Sequence, residues 1–267
     1  MKEIQKIVLL TDETTSSVGR LFFENLAGIF RTQGKQVTSL SVRTDQNLAE
    51  AVYRFDEISR IKPDLLFVAD FACIRMQSAE EEPMYNNLGI PTIHILFRRP
   101  WEYEVFMIWR CDFTTRIYCL LEEDVPYIRA FYPRLLNVSA LDPALWDMDA
   151  KAVCYAKEGA WEELMQAYEE LPAYMKTIAG IYEKIKNREM QTGDAQAMQM
   201  CLSEISFTCT AAEYMDILYM MRHVFALFYQ KQTGIREYRM PQIDGEALKR
   251  QGEDFLSLDF PVTLLGT

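Results

Sequence analysis

The run Asp64-Leu65-Leu66-Phe67-Val68-Ala69-Asp70 constrains this chain more than any other segment. An unbroken apolar stretch between two acids has no polar face at the period of a strand, so a strand here is buried on both sides. Such a strand belongs in the middle of a parallel sheet, and parallel strands need crossover segments, usually helices, to join them. The flanking sequence supplies both partners. Ile7-Val8-Leu9-Leu10 reads as an earlier buried strand. Over residues 18–32, Leu21, Phe22, Leu26, Ile29 and Phe30 recur at helical spacing, and Gly34 is placed to end that helix. Residues 37–42 alternate like a second strand. Residues 48–61 are helical, with Leu48, Val52, Phe55 and Ile58 on one face and Pro63 as the stop. Residues 92–97, 116–121 and 135–139 read as further strands, with a short helix over 122–131. Strands separated by helices imply right-handed crossovers. The expected fold is α/β, a Rossmann-like parallel sheet over residues 1–142.

The pattern changes after Asp142-Pro143. Helical spacing covers residues 161–171, 173–189, 195–209, 211–232 and 245–256, and Thr210 with Glu213 forms a capping box for the longest of these. Phe260-Pro261-Val262-Thr263-Leu264-Leu265-Gly266 reads as a last strand. The second region, 143–267, is therefore expected to be mostly helical and to end in a short strand.

Charge and cysteine usage narrow the function classes. With 28 Lys and Arg against 39 Asp and Glu the net charge is −11, and no basic block interrupts it. Nucleic-acid binding needs a basic footprint, so no nucleic-acid partner is expected. The apolar run at residues 7–10 is too short for a signal segment, and no stretch is long and apolar enough for a span, so a cytoplasmic protein with no membrane partner is expected. Six cysteines form no C-x-x-C pair, and the two histidines, His94 and His223, have no zinc-ligand spacing to them. Reduced, buried thiols and no metal are expected.

Candidate site residues lie at strand ends, because ligands of open α/β sheets bind outside the carboxyl ends of the strands. In the loop Thr11-Asp12-Glu13-Thr14-Thr15-Ser16-Ser17-Val18-Gly19, hydroxyls and N–H groups at a helix start can hold an anion, or Ser16 or Ser17 can simply cap the helix. Asp12 and Asp70 are the candidate catalytic carboxylates, as general bases or as partners of a substrate hydroxyl; Asp70 can equally cap a following helix. Thr14, Ser16, Arg98, Arg99 and Trp101 are the candidate ligand contacts. Arg98-Arg99-Pro100-Trp101-Glu102-Tyr103 sets two guanidiniums beside two aromatics, a combination suited to a carboxylate, phosphate or sugar ring. The first loop lacks G-x-G-x-x-G, and Gly28 with Gly34-Lys35 is one residue too long for a phosphate loop and sits after the start of its helix, so no nucleotide cofactor is expected. Asp147-Met148-Asp149 matches the metal-holding D-x-D of some glycosyltransferases, but at a domain junction it reads as a cap.

Three segments resemble the N-terminal part of GT-B-type glycosyltransferases of the spore-maturation CgeB-like group. They are Lys62-Pro63-Asp64-Leu65-Leu66-Phe67-Val68-Ala69-Asp70, Gly89-Ile90-Pro91-Thr92-Ile93-His94, and residues 116–137 with Tyr132-Pro133. The helix over 211–234 resembles the one that precedes the second Rossmann domain of those enzymes, and residues 261–266 resemble the first strand of that domain. The resemblance implies an acceptor-side half, with a glycan or small molecule as acceptor. Because the second domain supplies most of the donor site, it also implies a chain inactive alone that lacks a C-terminal domain. Separately, the apolar strand at 261–266 and the apolar circumference of the helix over 211–232 make a homodimer the other expected partner. The other reading of the same residues is a non-catalytic binding or protein-interaction module on a Rossmann-like scaffold.

Overall fold

The structure, a computed structural model, describes residues 3–43, 48–74, 76, 86–100, 103, 105–111, 115–122, 124–132, 134–146 and 243–260, with scattered positions between 180 and 210. The elements in order are β1 (Lys6–Asp12), α1 (Ser17–Thr32), β2 (Gln36–Val42), α2 (Leu48–Ile61), β3 (Leu65–Ala69), β4 (Thr92–Leu96), α3 (Val105–Trp109), β5 (Arg116–Cys119), α4 (Asp124–Phe131), β6 (Val138–Ala140) and α5 (Gly245–Ser257), with 3-10 turns at Asn86–Leu88 and Pro143–Leu145. The last strand starts later than its apolar pattern suggests, and α3 has no counterpart in the sequence reading. Gly34 ends α1 as expected: at φ 78° it closes a Schellman motif, Gly34 N–H donating to the Arg31 carbonyl and Lys35 N–H to that of Phe30, each at 3.0 Å.

All six strands are parallel, in the order β2-β1-β3-β4-β5-β6. Register is set by apolar pairs, Leu9 beside Phe67, Phe67 beside Ile93 and Ile95 beside Tyr118. The fold class is α/β with a Rossmann-like sheet, and every residue of β3 and β4 is buried. From β1 the chain crosses one way to β2 and then back past β1 to β3. The order reverses between β1 and β3, which opens a crevice at their carboxyl ends.

That order also dictates the covering of each face. Right-handed crossovers put the β1–β2 helix, α1, on one face and the later helices on the other. α1 reaches as far as β3, where its Phe23 and Phe30 rings lie 6.5 Å and 5.7 Å from that of Phe67, and leaves β5 on that face to another element. The gap is filled by α5, more than a hundred residues downstream of β6. Its buried stripe is Ala247, Leu248, Gln251, Gly252 and Phe255. The Phe255 ring lies 5.3 Å from that of Phe67 and 4.9 Å from that of Tyr118, both nearly edge-on. Phe22, Phe30, Phe97, Trp146 and Phe255 share one core with Ile7, Leu9, Ile93 and Ile95. Polar contacts fix the return: Gln251 Oε1 accepts from the Asp142 N–H at 2.8 Å, the Asp244 N–H donates to the Leu145 carbonyl at 3.0 Å, and Asp244 caps α5 by accepting from Ala247 N–H at 2.7 Å. The boundary drawn at residue 142 therefore does not separate α5, which completes the core of residues 1–142.

The described positions between 180 and 204 are helical. The remaining helices expected over 161–232, the Asp147-Met148-Asp149 motif, His223, Glu213 of the capping box and the expected strand at 261–266 lie outside the described residues. Among the described residues, no helix is long and apolar enough to cross a membrane.

Candidate functional site

Strand periodicity brings the two candidate acids to one edge. Asp12 ends β1, and Asp70 follows β3 directly. The β1 loop folds back on Asp12, whose Oδ1 accepts from the Thr14 N–H at 2.8 Å and from Thr14 Oγ1 at 2.7 Å. Its Oδ2 reaches across the crevice to accept from the Cys73 N–H at 2.7 Å, 61 residues away in the chain. Asp70 returns the contact. Its Oδ2 accepts from the Ser16 N–H of the β1 loop at 3.1 Å, and its Oδ1 accepts from the Phe97 N–H after β4 at 2.9 Å. The Tyr103 hydroxyl donates to the same Oδ1. The two loops are thus cross-braced, each acid holding a backbone N–H of the other's loop.

Both acids are buried, Asp12 at 4% and Asp70 at 1% exposure. A carboxylate excluded from water needs such donors, and each here is charge-assisted. In this arrangement all four carboxylate oxygens accept from the protein, and both groups act as braces.

The braced loop is itself unusual. Asp70, Phe71 and Cys73 have φ of 49°, 58° and 61°, left-handed values in residues that carry a Cβ. Such strain costs free energy, and it concentrates where the surrounding structure over-determines the backbone. Short turns lock the segment, with Ala72 N–H donating to the Ala69 carbonyl at 2.7 Å and Ile74 N–H to that of Phe71 at 3.0 Å. The Phe71 ring sits 5.1 Å from both His94 and Tyr103.

Of the two roles open to Ser16, the structure displays the cap: Ser16 Oγ accepts from Gly19 N–H at 3.1 Å and starts α1. The Arg20 guanidinium, one turn into α1, donates to the Asp12 carbonyl. Arg98 joins the network through Tyr103, whose hydroxyl accepts from the Arg98 N–H at 3.1 Å while the guanidinium lies 4.5 Å from its ring centroid. Arg99 turns elsewhere, pairing with buried Asp124 at 2.7 Å at the start of α4, where the helix dipole also favours an anion. Asp12, Thr14, Ser16, Asp70 and Arg98 are thus one connected group, Arg99 leaves it, and Trp101 lies outside the described residues.

Tyr103, Arg20 and the Cys73 N–H are members that the sequence does not mark. Tyr103 is visible there only as an aromatic beside the arginines, and its partner Asp70 lies 33 residues back. Burial, and then the Asp70 charge, push the Tyr103 hydroxyl well above the usual phenol range, so it is a hydrogen-bond donor rather than a base. Burial, with Asp12 and Glu13 beside it, likewise pushes the Cys73 thiol up, which makes it a poor nucleophile. His94 is fully buried in the middle of β4, and burial lowers its pKa to about 3. Among the described residues, no group of three or more His, Cys, Asp or Glu could hold a metal ion.

No family model matches the chain, and no curated protein matches it. Three solved structures are similar to it. One is an F420-dependent methylene-tetrahydromethanopterin dehydrogenase, at TM-score 0.30 and 10% identity, covering 85% of this chain and 88% of that one. The second is the 5-methylthioribose transporter solute binding protein of Thermotoga lettingae, at TM-score 0.30 and 11% identity, covering 93% and 98%. The third is the NADH-dependent butanol dehydrogenase A of Thermotoga maritima, at TM-score 0.31 and 12% identity, covering 95% and 76%. Likenesses this distant carry no argument about ligand or reaction.

Proposed function

We propose that this chain is a binding module on a Rossmann-like scaffold, which takes a small hydroxylated or anionic ligand at the carboxyl edge of the sheet between the loops of Asp12, Asp70 and Arg98. The observation that carries the reading is the cross-braced, left-handed loop at the point where strand order reverses. With both carboxylates engaged by backbone N–H groups, binding without turnover is the role we assign. The resemblance to the acceptor side of GT-B glycosyltransferases makes a glycan or other small-molecule acceptor the first ligand class, in a cytoplasmic protein. Free buried thiols at Cys73, Cys119 and Cys201 support that reducing setting.

A thermal-shift screen of glycans and nucleotide sugars tests the proposal. A true ligand at a hundredfold excess over its Kd stabilises by about 2.7 kcal/mol, a clear shift. The complex is expected to place the ligand at the Asp12–Asp70–Arg98 edge, without nucleotide diphosphate release from sugar donors. A ligand bound at the amino-terminal edge of the sheet, or steady donor turnover by the purified chain, overturns it.

A further inference from the structure

We propose that residues 70–74 form a strained clamp over the crevice, latched by the Asp12 carboxylate on the Cys73 N–H, and that opening the latch frees Asp12 for the ligand. The clamp's purpose rests on the binding-site reading above, whereas its mechanics stand on the loop alone. One end of the segment is anchored. Asp70 is held by Ser16, Phe97 and Tyr103, and the Phe71 ring is wedged against His94 and Tyr103. At the other end, Cys73 carries left-handed strain, and its N–H donates to Asp12 Oδ2 at 2.7 Å. Glycine would adopt that φ without a Cβ penalty, so the cysteine stores strain that a relaxed loop releases. A charge-assisted hydrogen bond is strong enough to hold such strain, and losing it tips the balance toward opening. Asp12 ends β1 at the same sheet edge, so a ligand group donating to its Oδ2 competes directly with the Cys73 N–H.

Hydrogen exchange of the full chain, read by mass spectrometry over peptides spanning residues 70–74 with β1 and β4 as internal reference, tests the clamp. Asp12→Asn weakens the latch, and exchange in 70–74 is expected to rise about tenfold while β1 and β4 are unchanged. Cys73→Gly and Cys73→Ala both remove the sulfur, but only the glycine removes the strain, so the glycine variant is expected to exchange about fivefold more slowly in 70–74 than the alanine one. Equal exchange in the Gly and Ala variants overturns the proposal, as does an Asp12→Asn effect spread evenly over the sheet. If Asp12→Asn does not fold, the Gly and Ala pair decides. A chain that binds none of the screened ligands yet shows these differences retains the clamp and loses only the binding reading.

Discussion

Two glycines on the same helix are expected to respond to alanine with opposite signs. A Cβ built on Gly19 would sit 2.8 Å from Phe97 Cδ2, 3.2 Å from Phe97 Cε2 and 3.2 Å from Ser16 Oγ, whereas a Cβ on Gly28 meets nothing within 4 Å. Phe97 has nowhere to retreat, because its ring is packed 5.2 Å from Phe22, 6.2 Å from Phe23 and 6.5 Å from Trp146. Ser16 is no freer, since its Oγ is the N-cap of α1. Overpacking a core of this kind costs roughly 1–3 kcal/mol. Displacing the cap adds about 1 kcal/mol. Alanine's helix propensity returns at most about 1 kcal/mol. Gly19→Ala should therefore destabilise the fold by about 1–3 kcal/mol, while Gly28→Ala gains about 0.5–1 kcal/mol from propensity alone. Urea denaturation followed by circular dichroism, at equal m-values, measures both. Midpoints that move in the same direction for both variants would refute the claim that α1 packs on Phe97 through Gly19.

Two further outcomes follow from the packing. Phe255→Ala should cost about 3–5 kcal/mol in the same assay, because it empties a fully buried site between Phe67 and Tyr118; a loss below about 1 kcal/mol would mean that α5 is not part of this core. His94 has a folded pKa of about 3, below its unfolded value near 6.5, so the stability it contributes is fully present above 6.5 and is lost as pH falls toward 3. Between pH 7 and pH 5 the native chain should lose about 2 kcal/mol more than His94→Leu, in which carboxylate titration is shared and cancels. Parallel stability curves for the two proteins would show that His94 is not held neutral by burial.

The strands were legible because each local rule agreed with the global fold. Leu65 to Ala69 can be buried on both faces only in a parallel sheet, and the spacing of Phe22, Leu26 and Phe30 suits only a helix laid on it. The placement of Asp12 and Asp70 at strand ends was legible for the same reason. What occupies the carboxylates was not. The Cys73 N–H and the Ser16 N–H are ordinary backbone groups, and nothing in their own sequence says which acid will claim them across the crevice.

The sequence by itself determined the parallel sheet, α1 and α2, and the strand-end positions of Asp12 and Asp70, since these depend on residues a few positions apart. Only the tertiary structure decided the contacts between distant segments. Because strand order reverses once, α1 alone cannot cover its face, and the remaining apolar surface drew α5 back from the far end of the chain. The partner of Arg99 was decided in the same way: its guanidinium pairs with buried Asp124, 25 residues on at the start of α4, because a carboxylate excluded from water is held only where a donor reaches it in space.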